Sequence, residues 1–305
     1  MNKPAIRRKI TKPILPANIY LALCFAGNTN DSSLGENVDS VAIDRYNPVS
    51  SLRRISQSMA IASPSGIRVL DQPVSPGEKA RYVRAMFDSI APRYDLLNSV
   101  LSFAIHSRWR VYASRCAALK EGDAALDVCC GTGDFARELR RRAGRSGRVV
   151  GIDFSLPMLR AGRAKAETEK VATAQADALR LPFPENVFNA ATVGFGLRNV
   201  ADPASALCEM ARVVKPSGRV VVMEFAEPKG RFMQALYRVY SLRVMPVIGG
   251  LISGRREAYS YLPESVARWK SRQELCDLMR KAGLSEVRTR DLTFGIVCVH
   301  TGTKL

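Results

Sequence analysis

Histidine is nearly absent from this chain: His106 and His300 are the only two in 305 residues. The seven cysteines form no Cys-x-x-Cys pair and no disulfide-rich spacing. These shortages leave little support for a structural zinc site or a His-centred metal enzyme, and they suit a reducing compartment. Acidic residues are also scarce, 28 against 46 Lys and Arg, for a formal charge of +18. No run of about 18 uncharged apolar residues occurs, so a spanning helix is not expected. What remains is ordinary: 47% apolar and 24% charged residues suit a soluble protein with a real core, not collagen, coiled coil or bulk disorder.

The charge excess is spread. Residues 1–58 contribute only +4, and the other 247 residues carry +14. A basic folded domain points to nucleic acid, anionic lipid or an anionic substrate, set against a merely solvated surface. The first thirty residues hold five basic side chains and no acid, and residues 28–66 are rich in Ser and Asn without hydrophobic period. Residues 1–76 are therefore read as a leader outside the fold. Three readings stay open, in this order: a true translation start at Met59, an organellar transit peptide, or a secretory signal or anchor.

From Gly77 to Ala118 the pattern is helical, with Tyr82, Ala85, Met86, Ser89 and Ile90 at i, i+3, i+4 spacing and a further helix over Ile105–Leu119. Beyond residue 124 strands and helices alternate. Strands are expected at Ala124–Cys130, Arg148–Phe154, Ala172–Asp177, Phe188–Gly194 and Arg219–Phe225. Helices are expected at Asp134–Arg142, from Ser155, at Pro203–Val214 and at Arg272–Ala282, the last stopped by Gly283. Two final strands, Ser285–Leu292 and Gly295–Thr303, read as a hairpin. The expected fold is α/β: an open, mostly parallel sheet with an antiparallel terminal strand and helices on both faces.

The chemistry concentrates after the strands. Asp127-Val128-Cys129-Cys130-Gly131-Thr132-Gly133-Asp134 joins a buried strand to a helix start. Gly131 and Gly133 permit a tight turn and close backbone approach, and the helix offers free N–H groups. Asp153 ends the next strand, 20 positions after Gly133, where nucleotide-binding α/β units place a ribose-binding carboxylate. The alternative is a purely structural turn. The vicinal Cys129–Cys130 pair reads as packing rather than redox chemistry.

The loop lacks the Gly-x-Gly-x-x-Gly of dinucleotide enzymes. It resembles instead the Asp-x-Gly-x-Gly-x-Gly loop of class I S-adenosylmethionine (SAM)-dependent methyltransferases, with Cys129 where the first glycine is usual. The resemblance implies a Rossmann-like sheet, SAM as methyl donor and no metal. It assigns Gly131, Thr132 and Gly133 to the methionine part, Asp153 to the ribose, and Asp177 and Ala178 to the adenine; the bland reading of Asp177 is a turn cap. Neither the Asn/Asp-Pro-Pro-aromatic motif of exocyclic-amine methylation nor a Pro-Cys or Thr-Cys context is present, so no nucleic-acid partner is expected.

Three further stretches narrow the family: Tyr94-Asp95-x-x-Asn98-x-x-x-Ser102-Phe103-x-Ile105-His106-x-x-Trp109, Phe195-Gly196-Leu197-Arg198-Asn199-Val200, and Lys215-Pro216-x-Gly218-Arg219. With Tyr261-Leu262-x-Glu264-Ser265 and Gly295-Ile296-Val297-x-Val299-His300-x-Gly302, they resemble the menaquinone/ubiquinone C-methyltransferase family across residues 80–305, closest to its bacterial menaquinone branch. The resemblance implies one methyltransferase domain over 77–305 that converts demethylmenaquinol to menaquinol. Benzoquinol methylation in ubiquinone synthesis, the phylloquinone step in a plastid, and a SAM-binding RNA-associated protein are the alternatives. It places Arg198 and Asn199 against the quinol ring. Arg198 is expected to stabilise an oxyanion, against the alternative of a loop-fixing salt bridge. Tyr94 is expected to contact donor or acceptor. His106 is a candidate proton acceptor, against a hydrogen-bonding role. His300 is read as structural or pocket-lining. Residues 232–252, large and apolar, suit a lid or a shallow interfacial helix touching anionic membrane, against an ordinary buried amphipathic helix. A homodimer is compatible with all of this. The expected location is the cytoplasm at the inner face of a bacterial membrane, or a plastid or mitochondrion if the leader is a transit peptide.

Overall fold

The computed structural model describes residues 75–165, 171–253 and 256–305. Almost all of the leader 1–76, with its competing readings, lies outside the described residues.

Among the described residues three α-helices precede the sheet: α1 (Pro76–Ile90), α2 (Tyr94–Leu101) and α3 (Ile105–Cys116). Ser75 starts α1 with a reciprocal capping box to Glu78, which satisfies two otherwise orphaned donors. Phe103 and Ala104, at φ 50° and 57°, break the chain between α2 and α3. Then come β1 (Ala124–Val128), α4 (Asp134–Ala143), β2 (Arg148–Asp153), α5 (Leu156–Arg163), β3 (Ala172–Gln175), β4 (Phe188–Gly194), α6 (Pro203–Val213) and β5 (Val214–Phe225). Next follow α7 (Arg231–Val239), a π-helical turn at Tyr240–Val244, α8 (Met245–Ser253), α9 (Arg256–Ala267), α10 (Arg272–Lys281), β6 (Leu284–Leu292) and β7 (Val297–Lys304).

The seven strands form one sheet in the order β3-β2-β1-β4-β5-β7-β6. Pairs from β3 through β5 are parallel. β7 runs antiparallel to both β5 and β6, so the expected hairpin folds back and inserts its second strand into the sheet. β1 is central and all five of its residues are buried, which is why it reads as an apolar run broken only by Asp127. Alternate residues feed two cores. Leu126, Val128, Val193 and Val222 pack on one face with Leu207, Met210 and Met279. Ala125, Ala190, Val221 and Val299 meet Phe135, Leu139 and Trp109 on the other. Fully buried residues such as Leu126 and Leu139 each contribute about 2 kcal/mol of apolar transfer. Leu97, Leu101 and Met245 form a third cluster joining α2 to α8.

β1 ends at Val128 and not Cys130, the helix from Ile105 ends at Cys116 and not Leu119, and β7 starts at Val297 and not Gly295; two further differences have visible reasons. β3 stops at Gln175 because Asp177 starts a turn, its Oδ1 accepting from the Leu179 amide at 2.9 Å. β5 begins at Val214, earlier than Arg219, because Phe188 pairs with Val214 before a bulge restores the register at Ala190↔Arg219. Among the described residues no helix is long and apolar enough to cross a membrane.

Candidate active site

The register sets the site. Val128 is level with Ile152 and with Val193, so the turn after β1, Asp153 at the end of β2 and the loop after β4 come side by side. The order switches between β1 and β4, where open α/β sheets bind ligands beyond the strands' carboxyl ends.

Two cavities open there. The first, about 430 Å³, is lined by Cys129, Gly131, Asp153, Phe154, Asp177, Ala178, Gly194 and Asn199, with α1 across it through Ala80, Arg81 and Arg84. Asp153 holds the glycine turn: its Oδ2 accepts from the Gly131 amide at 2.8 Å and its Oδ1 from Ser155 at 2.9 Å. Burial raises its carboxyl to about 6 despite those bonds. Asp127, under the turn, accepts from Thr192 Oγ1 at 2.9 Å; its Oδ2 has no partner among the described residues, and burial raises the group to about 7. Cys129 takes φ 55°, the left-handed conformation that glycine adopts more cheaply.

The second cavity, about 410 Å³, is predominantly aromatic and aliphatic, walled by Trp109, Phe225, Tyr237, Tyr240 and Tyr261, with His106, Arg110 and Arg198 as its charged or titratable members. Phe87, Tyr94 and Phe195 line both cavities. Two largely apolar chambers, the first carrying the carboxylates of Asp153 and Asp177, thus share an aromatic wall. Phe195 packs 4.5 Å from Phe225 and 6.0 Å from Trp109, centroid to centroid.

Arg198 is buried between the cavities' loops. Its Nη1 pairs with Glu224 Oε1 at 2.6 Å and donates to Phe195 O at 2.6 Å, and its amide donates to Glu224 Oε2 at 3.2 Å. The salt bridge anticipated as an alternative is therefore present, yet Nη2 has no protein partner among the described residues and the residue lines the apolar cavity. Asn199 accepts from the Tyr261 hydroxyl at 2.9 Å. Lys79, from α1, pins the loop by donating to Arg198 O at 3.2 Å and Val200 O at 3.1 Å. His106 Nδ1 lies 2.6 Å from Ser102 Oγ, and burial followed by the Arg110 charge lowers its pKa, keeping the ring neutral. Burial pushes the Tyr94 phenol up, so it stays protonated.

The structure gathers Tyr94, Gly131, Asp153, Asp177, Ala178 and Asn199 around the first cavity, and Tyr94, His106 and Arg198 around the second. Asp177 both caps its turn and lines the wall. Thr132 and Gly133 stand apart from both linings. The Thr132 hydroxyl donates to Asp95 Oδ1 at 2.6 Å and accepts from Lys165 Nζ at 3.0 Å. Lys165 also bridges Asp95 and Asp134, so Thr132 fastens α2 over the turn. Gly133 caps α4 at φ 81°. His300 lies within the sheet beside Cys298. Glu224 and Tyr261 were missed as functional residues. Glu224 carried a signal: it is the lone charge in the apolar run Val220–Phe225, and such a charge demands a partner.

A family model matches residues 76–304, described as the ubiE/COQ5 methyltransferase family. The chain belongs to that family. It is 48% identical over 221 residues to the demethylmenaquinone methyltransferase of Thermus thermophilus, covering 72% of this chain and all of that one. It is 44% identical to the ubiquinone/menaquinone biosynthesis C-methyltransferase of Geobacter sulfurreducens, covering 74% and 90%. Among solved structures, a SAM-dependent methyltransferase from Thermotoga maritima aligns with TM-score 0.52 at 25% identity, over 73% of this chain and all of that one. A phosphoethanolamine methyltransferase from Haemonchus contortus with bound S-adenosylhomocysteine aligns at 0.53 and 15%, covering 73% and 60%, and shares the fold. This family member is a SAM-dependent C-methyltransferase. The first cavity fits the donor: a deep carboxylate beside a glycine backbone suits a ribose, and Ala178 and Leu179 offer a flat apolar slot next to Asp177.

Proposed function

We propose that the protein methylates a ring carbon of a prenylated quinol, converting demethylmenaquinol to menaquinol. The observation that carries this reading is the second cavity: an aromatic chamber sharing Phe87, Tyr94 and Phe195 with the donor cavity and holding one buried guanidinium. The relatives named demethylmenaquinone methyltransferase support the naphthoquinol.

SAM, when bound, supplies an electrophilic methyl on a sulfonium. Asp153, Asp177 and the Gly131 backbone, which line the first cavity, would hold that donor. A quinol hydroxyl ionises near pH 10, by analogy with tyrosine, and its ortho carbon becomes nucleophilic on ionisation. Arg198, whose guanidinium lines the apolar cavity 5.3 Å from the Phe225 ring centroid, lowers that cost by holding the oxyanion. His106, neutral and fixed by Ser102, accepts a proton. Asn199, expected from sequence against the quinol ring, lines the first cavity instead and, held by the Tyr261 hydroxyl, steadies the loop that carries Arg198, while Phe195, Phe225 and Trp109 exclude water. Forming the carbon–methyl bond would break the donor's sulfur–methyl bond and leave a neutral thioether, cancelling the sulfonium and oxyanion charges, and passage of the ring proton to the regenerated hydroxyl would restore aromaticity.

The test is incubation of the full chain with methyl-labelled SAM and reduced demethylated naphthoquinol or benzoquinol, followed by product identification. Label in the naphthoquinol ring is the expected result. Label only in the benzoquinol moves the reading to ubiquinone synthesis, and label in neither refutes quinol methylation.

A further inference from the structure

α7 breaks the usual rule for a surface helix. Met233, Tyr237 and the following Tyr240 turn inward to wall the apolar cavity. Phe232, Leu236 and Val239 recur at the same spacing on the outer side and are 80%, 53% and 53% exposed. No residue of α7 is buried, whereas Met245 of α8 is buried in the third cluster, so of residues 232–252 only the α8 part packs as the buried amphipathic helix considered from sequence. The outward apolar row continues through Leu242 and into α8 at Leu251, which is 82% exposed. Arg231, Arg238 and Arg243 stand along the same stretch, all exposed, and residues 231–253 contain no acid. Such an apolar exterior needs a non-aqueous neighbour. Leu236 lines the cavity while half exposed, so the patch runs up to the cavity's rim.

We propose that the outer face of α7, the π-helical turn and α8 seats this enzyme on an anionic lipid surface. The apolar row enters the headgroup–acyl boundary, the three arginines reach phosphate groups by snorkelling, and the acceptor cavity opens into the layer that holds the prenyl chain. This rests on the prenyl-quinol reading above. Charge decides the occupant. A second copy laid on this face would bring arginine against arginine with no carboxylate to pair, and protein interface cores shed charge. Anionic lipid attracts all three.

Flotation of the full chain with phosphatidylcholine vesicles, with and without phosphatidylglycerol, tests the proposal. Anionic vesicles should bind it, less so at high salt. The R231A/R238A/R243A variant should bind roughly 100-fold more weakly, and F232E/L242E should bind little. None of these five residues lines either cavity. Both variants should therefore keep their turnover of a demethylated quinol lacking the long tail, and lose turnover of the long-tailed quinol in vesicles. Wild-type binding by both variants, absence of vesicle binding, or loss of self-association in place of lipid binding would overturn the proposal. Failure of the wild type to methylate either quinol would refute the substrate reading instead, with vesicle binding still read separately.

Discussion

Neutralising Glu224 alone should cost both stability and methyl transfer, whereas replacing it together with Arg198 should recover the stability but not the chemistry. The pair is almost completely out of water, its side chains 6% and 1% exposed at 2.6 Å. Glu224→Gln alone strands a buried guanidinium, which costs about 3–5 kcal/mol. For a folded part of this size that lowers the melting temperature by roughly 10 °C. Arg198→Met with Glu224→Gln removes the stranded cation. The glutamine oxygen still accepts a backbone N–H from Arg198's or Phe225's position, and Phe195 O keeps its bond from Asn199 Nδ2 at 3.3 Å. Stability should return to within about 2 kcal/mol of wild type. Methyl transfer should not return: losing the oxyanion partner costs roughly 10²–10³ in turnover. Calorimetric SAM affinity should stay near wild type, because Asp153 and the glycine turn are untouched. Thermal melts, titration and labelled-methyl transfer on the three proteins decide it. A double variant that is stable and turns over normally would show that Arg198 only fixes the loop.

Asp153→Ala should weaken SAM binding by roughly 10–100-fold, since it removes a charged acceptor and frees the Gly131 and Ser155 amides; unchanged affinity by calorimetry would displace the donor from this cavity. At Gly196, an added Cβ would lie 2.4 Å from Cys129 Cβ, so Gly196→Ala should cost about 1–3 kcal/mol in denaturant melts. Cys129→Gly should relieve most of that loss and also suits φ 55°; an equal loss in both backgrounds would contradict the contact. His300 is buried neutral with its pKa lowered to about 4, below an unfolded value near 6.5. The unfolded chain therefore binds the extra proton first, and stability is lost as pH falls from about 6.5 to about 4, approaching 3 kcal/mol. His300→Leu should lose about that much less on going from pH 7.5 to pH 4.5; an identical loss would refute the assignment.

Local pattern was enough for β4, whose limits Phe188–Gly194 match the apolar run, and for α5 and α10, whose starts follow Ser155 and Ser271 caps. The first cavity was legible as a meeting place because its parts sit in short motifs next to strand ends: Gly131, Asp153 and Asp177 meet once the sheet is parallel. The acceptor cavity was not legible as a shape, because α2, α3, α7 and α9 bring Tyr94, His106, Tyr237 and Tyr261 together from positions far apart in the chain. Thr132 illustrates the limit within a motif. Its place in the turn was correct, but side-chain direction was settled by Asp95 and Lys165, one on a helix before the sheet and one after α5.

The place of β7 has a consequence for how the polypeptide is made. It follows every other strand in the chain, yet it lies between β5 and β6 and pairs with both. While a ribosome still holds those residues, β5 has a bare edge and β6 has nowhere to dock. The sheet is therefore completed only after synthesis has passed Lys304, and a nascent chain halted just short of β7 offers one bare sheet edge on β5 and one unpaired strand, β6, the kind of exposure that draws chaperones and promotes misassembly.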